Sequence, residues 1–330
     1  MWNILLKINK HLIIAIPLFL IAGFIFGVFA DQALTRSMKA LILPLTFLMV
    51  YPMMVTLNIQ HLRKGLDIKL QVTTQFINFA VIPFVAFFFG RLFFANQPAL
   101  ALGLLLAALL PTSGMTISWT GFAKGNIGAA INMTVIGLTL GSILTPFYIS
   151  GLLGASVAVE LGKVAQQIGV IVFLPMLIGQ MTRRSLLKRY SMVEFKQRLA
   201  PRFPSLSTLG VLGIVFVAMA LKAKGIMAAP SMLVGIIVPL LLLYCLNFVL
   251  SSIVGKVLFN RRDAIALVYG TVMRNLSIAL AVAINAFGEA GAQAALVIAL
   301  AYIIQVQSAA WYVKLTDLVF GAPPVESPEQ

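Results

Sequence analysis

Long apolar runs broken by short polar clusters set the pattern of this chain. Charge-free stretches cover 12–30, 70–90, 92–123, 164–182 and 232–255. About 20 apolar residues cross the hydrocarbon core of a bilayer as a helix, so each stretch is long enough. Dividing the runs at charged or turn-rich breaks predicts helices near 12–30, 40–60, 70–94, 98–122 and 127–153, then near 162–182, 206–221, 230–258, 264–287 and 292–315.

The two sets hold five helices each, and in each the fourth is interrupted by polar residues. An odd number of crossings reverses the chain, so a repeated five-helix unit re-enters the membrane upside down. Many secondary transporters use this inverted repeat, with the binding site at broken helices near the midplane. The expected fold class is an all-α integral membrane protein of about ten transmembrane helices. One repeat covers 1–153, the second 162–315, and a tail 316–330.

Composition agrees, because 61% of the 330 residues are hydrophobic and 10% charged, whereas soluble domains carry about a quarter charged residues. A net charge of +15 would suggest nucleic acid if the bases clustered. They punctuate apolar runs instead, so lipid is the expected surroundings and nucleic acid is not an expected partner. With the N-terminus inside, seventeen of the 24 basic residues fall in inner segments. Six fall outside: Arg36, Lys39, Arg91, Lys163, Lys222 and Lys224. The 183–202 loop alone holds seven, from Arg183 to Arg202. The excess predicts cytoplasmic termini in a cell membrane. Lys7 and Lys10 before an apolar run imitate a secretory signal, but the run exceeds the usual length of about 7–15 residues, so it reads as a retained first helix.

Enzyme chemistry lacks its parts. All nine acidic residues fall in predicted loops, helix ends or the tail, and His11 and His61 stand far apart at membrane boundaries. Paired carboxylates, a Ser-His-Asp triad and a histidine metal site are therefore not expected. The single Cys245 allows no disulfide or thiol pair. No cofactor or metal is expected.

Two polar interruptions stand out. The fourth helix carries Pro111-Thr112-Ser113-Gly114-Met115-Thr116, where proline removes a helix hydrogen bond and glycine permits an unwound backbone. The ninth carries Gly270-Thr271-Val272-Met273-Arg274-Asn275-Leu276-Ser277. A lipid-exposed arginine at that depth would cost about 3 kcal/mol, so Arg274 must face a partner, a carbonyl cluster or a watery cavity. Its two readings are a solute site and a cap on broken-helix carbonyls.

At these residues the chain resembles the bile acid:sodium symporter superfamily, and most closely its arsenical-resistance branch. The likeness is carried by Pro111 to Thr116, Ala123-Lys124-Gly125-Asn126, Asn132-Met133-Thr134 and Leu144-Thr145-Pro146. Val50-Tyr51-Pro52, Trp119, Ala281-Val282-Ala283-Ile284 and Phe287-Gly288 add to it. The resemblance implies crossing broken helices in a mobile core, 70–153 and 230–315, moving against a panel made by the first two helices of each repeat. It adds Asn132 and Thr134 to the expected site. Where the arsenite branch carries a cysteine and a glutamate this chain has Thr112 and Ser277, so trivalent arsenic finds no thiolate. Where the symporters place polar sodium ligands it has Ile117, Ala130 and Gly270, keeping Thr116 and Thr134. Arg274 falls beside those positions as a fixed cation.

The function expected is a sodium-independent secondary carrier of a small anion, an organic acid or oxyanion, not an enzyme. Arg274 supplies charge, and Thr112, Ser113, Thr116, Asn132, Thr134, Asn275 and Ser277 supply hydrogen bonds. A sodium- or proton-coupled symporter, and a non-transporting receptor or channel, are the competing classes.

Overall fold

A computed structural model of the chain describes residues 12–56, 67–154, 161–228 and 231–322. Among these residues every regular element is helical. The main helices are α1 (Leu12–Phe29), α2 (Ile42–Thr56), α3 (Ile68–Phe93), α4 (Pro98–Leu109), α5 (Gly114–Phe122), α6 (Ile127–Leu153), α7 (Val164–Arg189), α8 (Arg202–Ala228), α9 (Ser231–Leu258), α10 (Arg261–Val272) and α11 (Leu276–Phe320). Six spans among the described residues are long and apolar enough to cross a bilayer. Large apolar side chains such as Phe88, Phe147, Val257 and Leu318 stand exposed on the outside, as lipid contact requires and water does not tolerate over so wide a surface. The chain is a multi-pass integral membrane protein.

Helix ends follow local chemistry. Asp67, Asn126 and Asn260 cap α3, α6 and α10 by accepting from Leu70, Ala129 and Asp263 backbone nitrogens. Pro83 has no N–H to offer the preceding turn, and α3 answers with a π-turn over Ile77–Val81. Within that turn Tyr148 of α6 donates to the Phe79 carbonyl at 2.5 Å.

Helices pack in two groups. In the first, α8 lies along α1 and α2, and α7 lies on α2. Gly210 permits the close approach, since a Cβ there would stand 2.5 Å from the Met49 nitrogen. Tyr51 pairs with Thr182 at 2.9 Å, Gln180 donates to the Met54 carbonyl, and Arg183 donates to that of Thr56, tying α7 to α2. The second group comprises α3 to α6 and α9 to α11, with α4 against α11 and α9 against α10.

Several boundaries differ from the sequence expectation, among them the end of the last helix, α11, which runs on to Phe320 instead of stopping near 315. Helix α7 runs on to Arg189 instead of stopping near 182, because charges can continue a helix beyond the hydrocarbon, and Arg183 is thereby helical and buried. Helix α8 runs from Arg202 to Ala228 rather than from 206 to 221. The expected loop after 287 is one non-helical residue, Gly288 with φ 53°, a left-handed conformation that glycine adopts without a Cβ penalty.

Candidate functional site

The interruptions between α4 and α5 and between α10 and α11 meet at one point. Pro111 and Arg274 form an antiparallel bridge. Thr112 N donates to the Met273 carbonyl at 2.7 Å, and Asn275 N to that of Leu110 at 2.7 Å. Four helix ends thus close on each other, which satisfies backbone groups that the breaks set free. Thr112 has φ 64°, a strained value for a residue with a Cβ, costing about 1–3 kcal/mol. Its hydroxyl donates toward the Pro111, Met133 and Thr134 carbonyls. Beside it, Gly137 and Gly141 of α6 leave room for the link: a Cβ on Gly137 would stand 2.8 Å from Thr112 Oγ1, and one on Gly141 2.9 Å from Pro111 Cδ.

Neighbouring amides hold the second link. Gln305, on the far part of α11, accepts from Arg274 N at 2.8 Å and donates to the Arg274 carbonyl at 3.1 Å, as a strand neighbour would. Tyr244 of α9 donates to the same Gln305 Oε1 at 2.9 Å. Asn78 of α3 and Asn247 of α9 donate to the Gly270 and Thr271 carbonyls at the end of α10.

The other two helix ends are amino-terminal and face a shared cavity. Ser113 and Thr116 form a capping box at α5, and Asn275 Oδ1 accepts from Ile278 N at α11. A cavity of about 210 Å³ is lined by Ser113, Gly114, Thr134 and Asn275 on this side. Met53, Met54, Thr56 and Arg183 of α2 and α7 line the other, and Ile117, Ile131, Leu138, Phe195 and Ala200 complete the wall. Each helix N-terminus carries about half a positive charge. Asn275 is 1% exposed, and its Nδ2 has no hydrogen-bond partner among the described residues.

The eight residues singled out in the sequence therefore occupy different places. Ser113, Thr134 and Asn275 line the cavity. Thr112 lies against α6, its hydroxyl directed at the Met133 and Thr134 carbonyls, and the Thr116 hydroxyl accepts from Ser113 N. Arg274 is 3% exposed and lies close to the Tyr244 phenol rather than in the cavity wall, with both terminal guanidinium nitrogens lacking a hydrogen-bond partner among the described residues. Ser277 pairs with Tyr302. Asn132 is buried on α6, its Oδ1 without a partner among the described residues.

Sequence reasoning passed over Gln305, Tyr244, Asn78 and Asn247, although an amide inside an apolar run was a readable signal for three of them. It also passed over a row on α3, where Gln71 Oε1, both polar atoms of Gln75 and Asn78 Oδ1 are buried without partners among the described residues. Among those residues no cluster of three His, Cys, Asp or Glu could hold a metal, and Cys245 is exposed.

Comparison with known proteins places the chain in a family. The pattern of the Sodium Bile acid symporter family matches residues 43–229. An uncharacterised protein, YbaS, of Bacillus subtilis is 27% identical over 70% of this chain and 74% of its own length. An arsenical-resistance protein of Corynebacterium glutamicum is 23% identical over 84% of this chain and 82% of its own. A protein of Oryza sativa named "Probable sodium/metabolite cotransporter BASS1, chloroplastic" is 26% identical over 64% of this chain and 51% of its own. With crossing broken helices and a family match over more than half its length, this chain is a secondary membrane transporter that belongs to the Sodium Bile acid symporter family.

Proposed function

We propose that the chain carries a small anion, an organic acid or oxyanion, by alternating access at the crossing of the two broken helices. The observation that carries this reading is the surplus of positive charge at the crossing. The Arg274 guanidinium is buried with no acidic side chain bonded to it among the described residues, and two helix N-termini face the cavity beside it. Ser113 and the free Asn275 amide donate to the anion, Thr134 lines the site with its hydroxyl turned to the Ala130 carbonyl, and Arg274 acts on the anion through a low-dielectric core. Thr112, Thr116, Asn132 and Ser277 keep the crossing in shape. A cavity of about 210 Å³ suits a solute of modest size. Arsenite bound through a thiolate is not this solute, because Cys245 does not line the cavity.

The framework we propose is ten crossings in two inverted repeats, 1–153 and 162–315, with the last helix running on to Phe320 before the tail. Breaks at matching places, after α4 and after α10, support it. Both termini then lie in the cytoplasm, held there by the basic 183–202 segment. In a Cys245→Ser background, cysteines at the exposed Arg189 and Gln197 should react with a membrane-impermeant maleimide only from the cytoplasmic side. Labelling from outside would overturn the orientation.

Coupling follows from the same charge. A fixed guanidinium at the crossing does electrostatically what a bound cation would do, so transport is sodium-independent. An inside-negative potential of about 100 mV expels each negative charge with about 2.3 kcal/mol, which favours export. One observation favours cation coupling instead: the unpartnered amide oxygens of Gln71, Gln75 and Asn78, which are hard ligands. Proteoliposome uptake decides between them, using an anion chosen by thermal-shift screening and imposed sodium, potassium or choline gradients. Equal rates in all three are expected. A saturable rise in affinity with sodium alone would refute sodium independence.

A further inference from the structure

The cavity has two walls, and its formal charge comes from the one that sequence reasoning left out. Arg183 lines it from α7, facing the side formed by Ser113, Gly114 and Asn275. As one of the seven bases of the 183–202 segment, Arg183 reads in the sequence as a topology signal. In the structure it is 7% exposed, its Nη1 donates to the Thr56 carbonyl at 3.3 Å, and its guanidinium carbon lies 5.0 Å from the Phe195 ring centre. A guanidinium has five N–H donors, so most of this fork has no protein acceptor among the described residues. No carboxylate among them pairs with it; the nearest in sequence, Glu194, receives from Ser191 N at 3.1 Å.

Resting on the anion reading above, we propose that Arg183 is the direct cationic contact of the solute, reaching it from the α2–α7 wall. The solute is then gripped from both sides: by partial charges and the Asn275 amide on the crossing, and by a full charge on α7. Three polar contacts fasten Arg183's helix to α2, so the grip joins two packing groups and not two side chains of one. An anion in the cavity draws those groups together, and an empty cavity lets them part. Arginine suits this place because its planar fork meets carboxylate or phosphate oxygens in pairs while its face rests on an aromatic ring.

Binding of hexanoate, phosphate and the neutral hexanamide to purified wild type, Arg183→Gln and Arg183→Lys tests the proposal. Titrated melting temperature is the readout, with Kd taken from the shift. For the anion that binds wild type, Arg183→Gln should weaken affinity at least about tenfold, and Arg183→Lys severalfold, since an ammonium keeps the charge but not the fork. Hexanamide affinity should stay unchanged in both, which separates solute contact from a structural role for the Thr56 and Phe195 contacts. The lysine variant keeps the test decisive if the glutamine variant fails to fold. Wild-type anion affinity in the folded variants, or an equal loss for hexanamide, would overturn the role of Arg183 while leaving the anion carrier standing. Failure of wild type to bind either anion would overturn the carrier reading itself.

Discussion

Arg274→Gln is expected to abolish transport while the protein still folds and inserts. The backbone of residue 274, not its side chain, makes the bridge to Pro111 and the paired hydrogen bonds with Gln305, so glutamine keeps the joint. What disappears is a buried positive charge whose terminal nitrogens bond to nothing among the described residues. Arg274 does not line the cavity and acts on the anion by its field through a low-dielectric core, so anion affinity should fall severalfold or more and transport should be lost. Arg274→Lys should retain at most weak activity, because a buried ammonium, unlike a guanidinium, readily gives up its proton and with it the field. The competing account makes Arg274 a neutraliser of the carbonyl ends of α4 and α10, and it predicts the opposite pattern. Under it, Arg274→Gln melts much earlier than wild type, and whatever folds transports normally. Comparing the melting temperature and anion affinity of the same preparation separates the two.

Gly141→Ala should destabilise the protein, against the usual sign of such a change. Inside a helix alanine is ordinarily better than glycine by about 1 kcal/mol. Here the added Cβ would meet Pro111 Cδ at 2.9 Å and the Leu109 carbonyl oxygen at 3.2 Å. Neither neighbour is the end of a flexible side chain: both belong to the link that crosses Met273–Asn275. Overpacking of this kind costs about 1–3 kcal/mol, and larger side chains at 141 should cost more. A control at Gly151, where a Cβ meets nothing within 4 Å, should gain or hold stability. The melting temperatures of Gly141→Ala and Gly151→Ala, measured in one detergent, check the contrast.

What could be read from the chain depended on how local the cause was. Apolar run length identified the membrane protein, because the bilayer imposes a length on any helix that spans it. Pro111 and Gly114 announced their break through their own backbone chemistry, and the structure puts the unwound residues between Leu109 and Gly114. Arg274 announced itself by being a charge among apolar neighbours, but the direction of its side chain did not follow. The backbone at Arg274 is held by the Gln305 amide, which stands 31 residues away along α11, where no local pattern reveals it. Arg183 was legible only as one base among seven, since nothing local says that α7 continues past Thr182 and turns it into the cavity. Gly137 and Gly141 carry no polar signal at all. Their role rests on what lies against them, and helices that are apolar all round conceal which face is packed.

The central claim is that a small anion is carried through the crossing rather than merely bound there or allowed to leak. Counterflow tests it most directly. Proteoliposomes loaded with an unlabelled anion that binds the purified protein, hexanoate or phosphate, are diluted into a trace of the same anion in labelled form, with no sodium present. A carrier that alternates access should accumulate label transiently above the outside concentration, saturably, and Arg274→Gln should not. Label that only equilibrates at the same rate with or without internal anion would mean a channel, and no uptake by protein that binds the anion would mean a receptor. Either result would contradict the account.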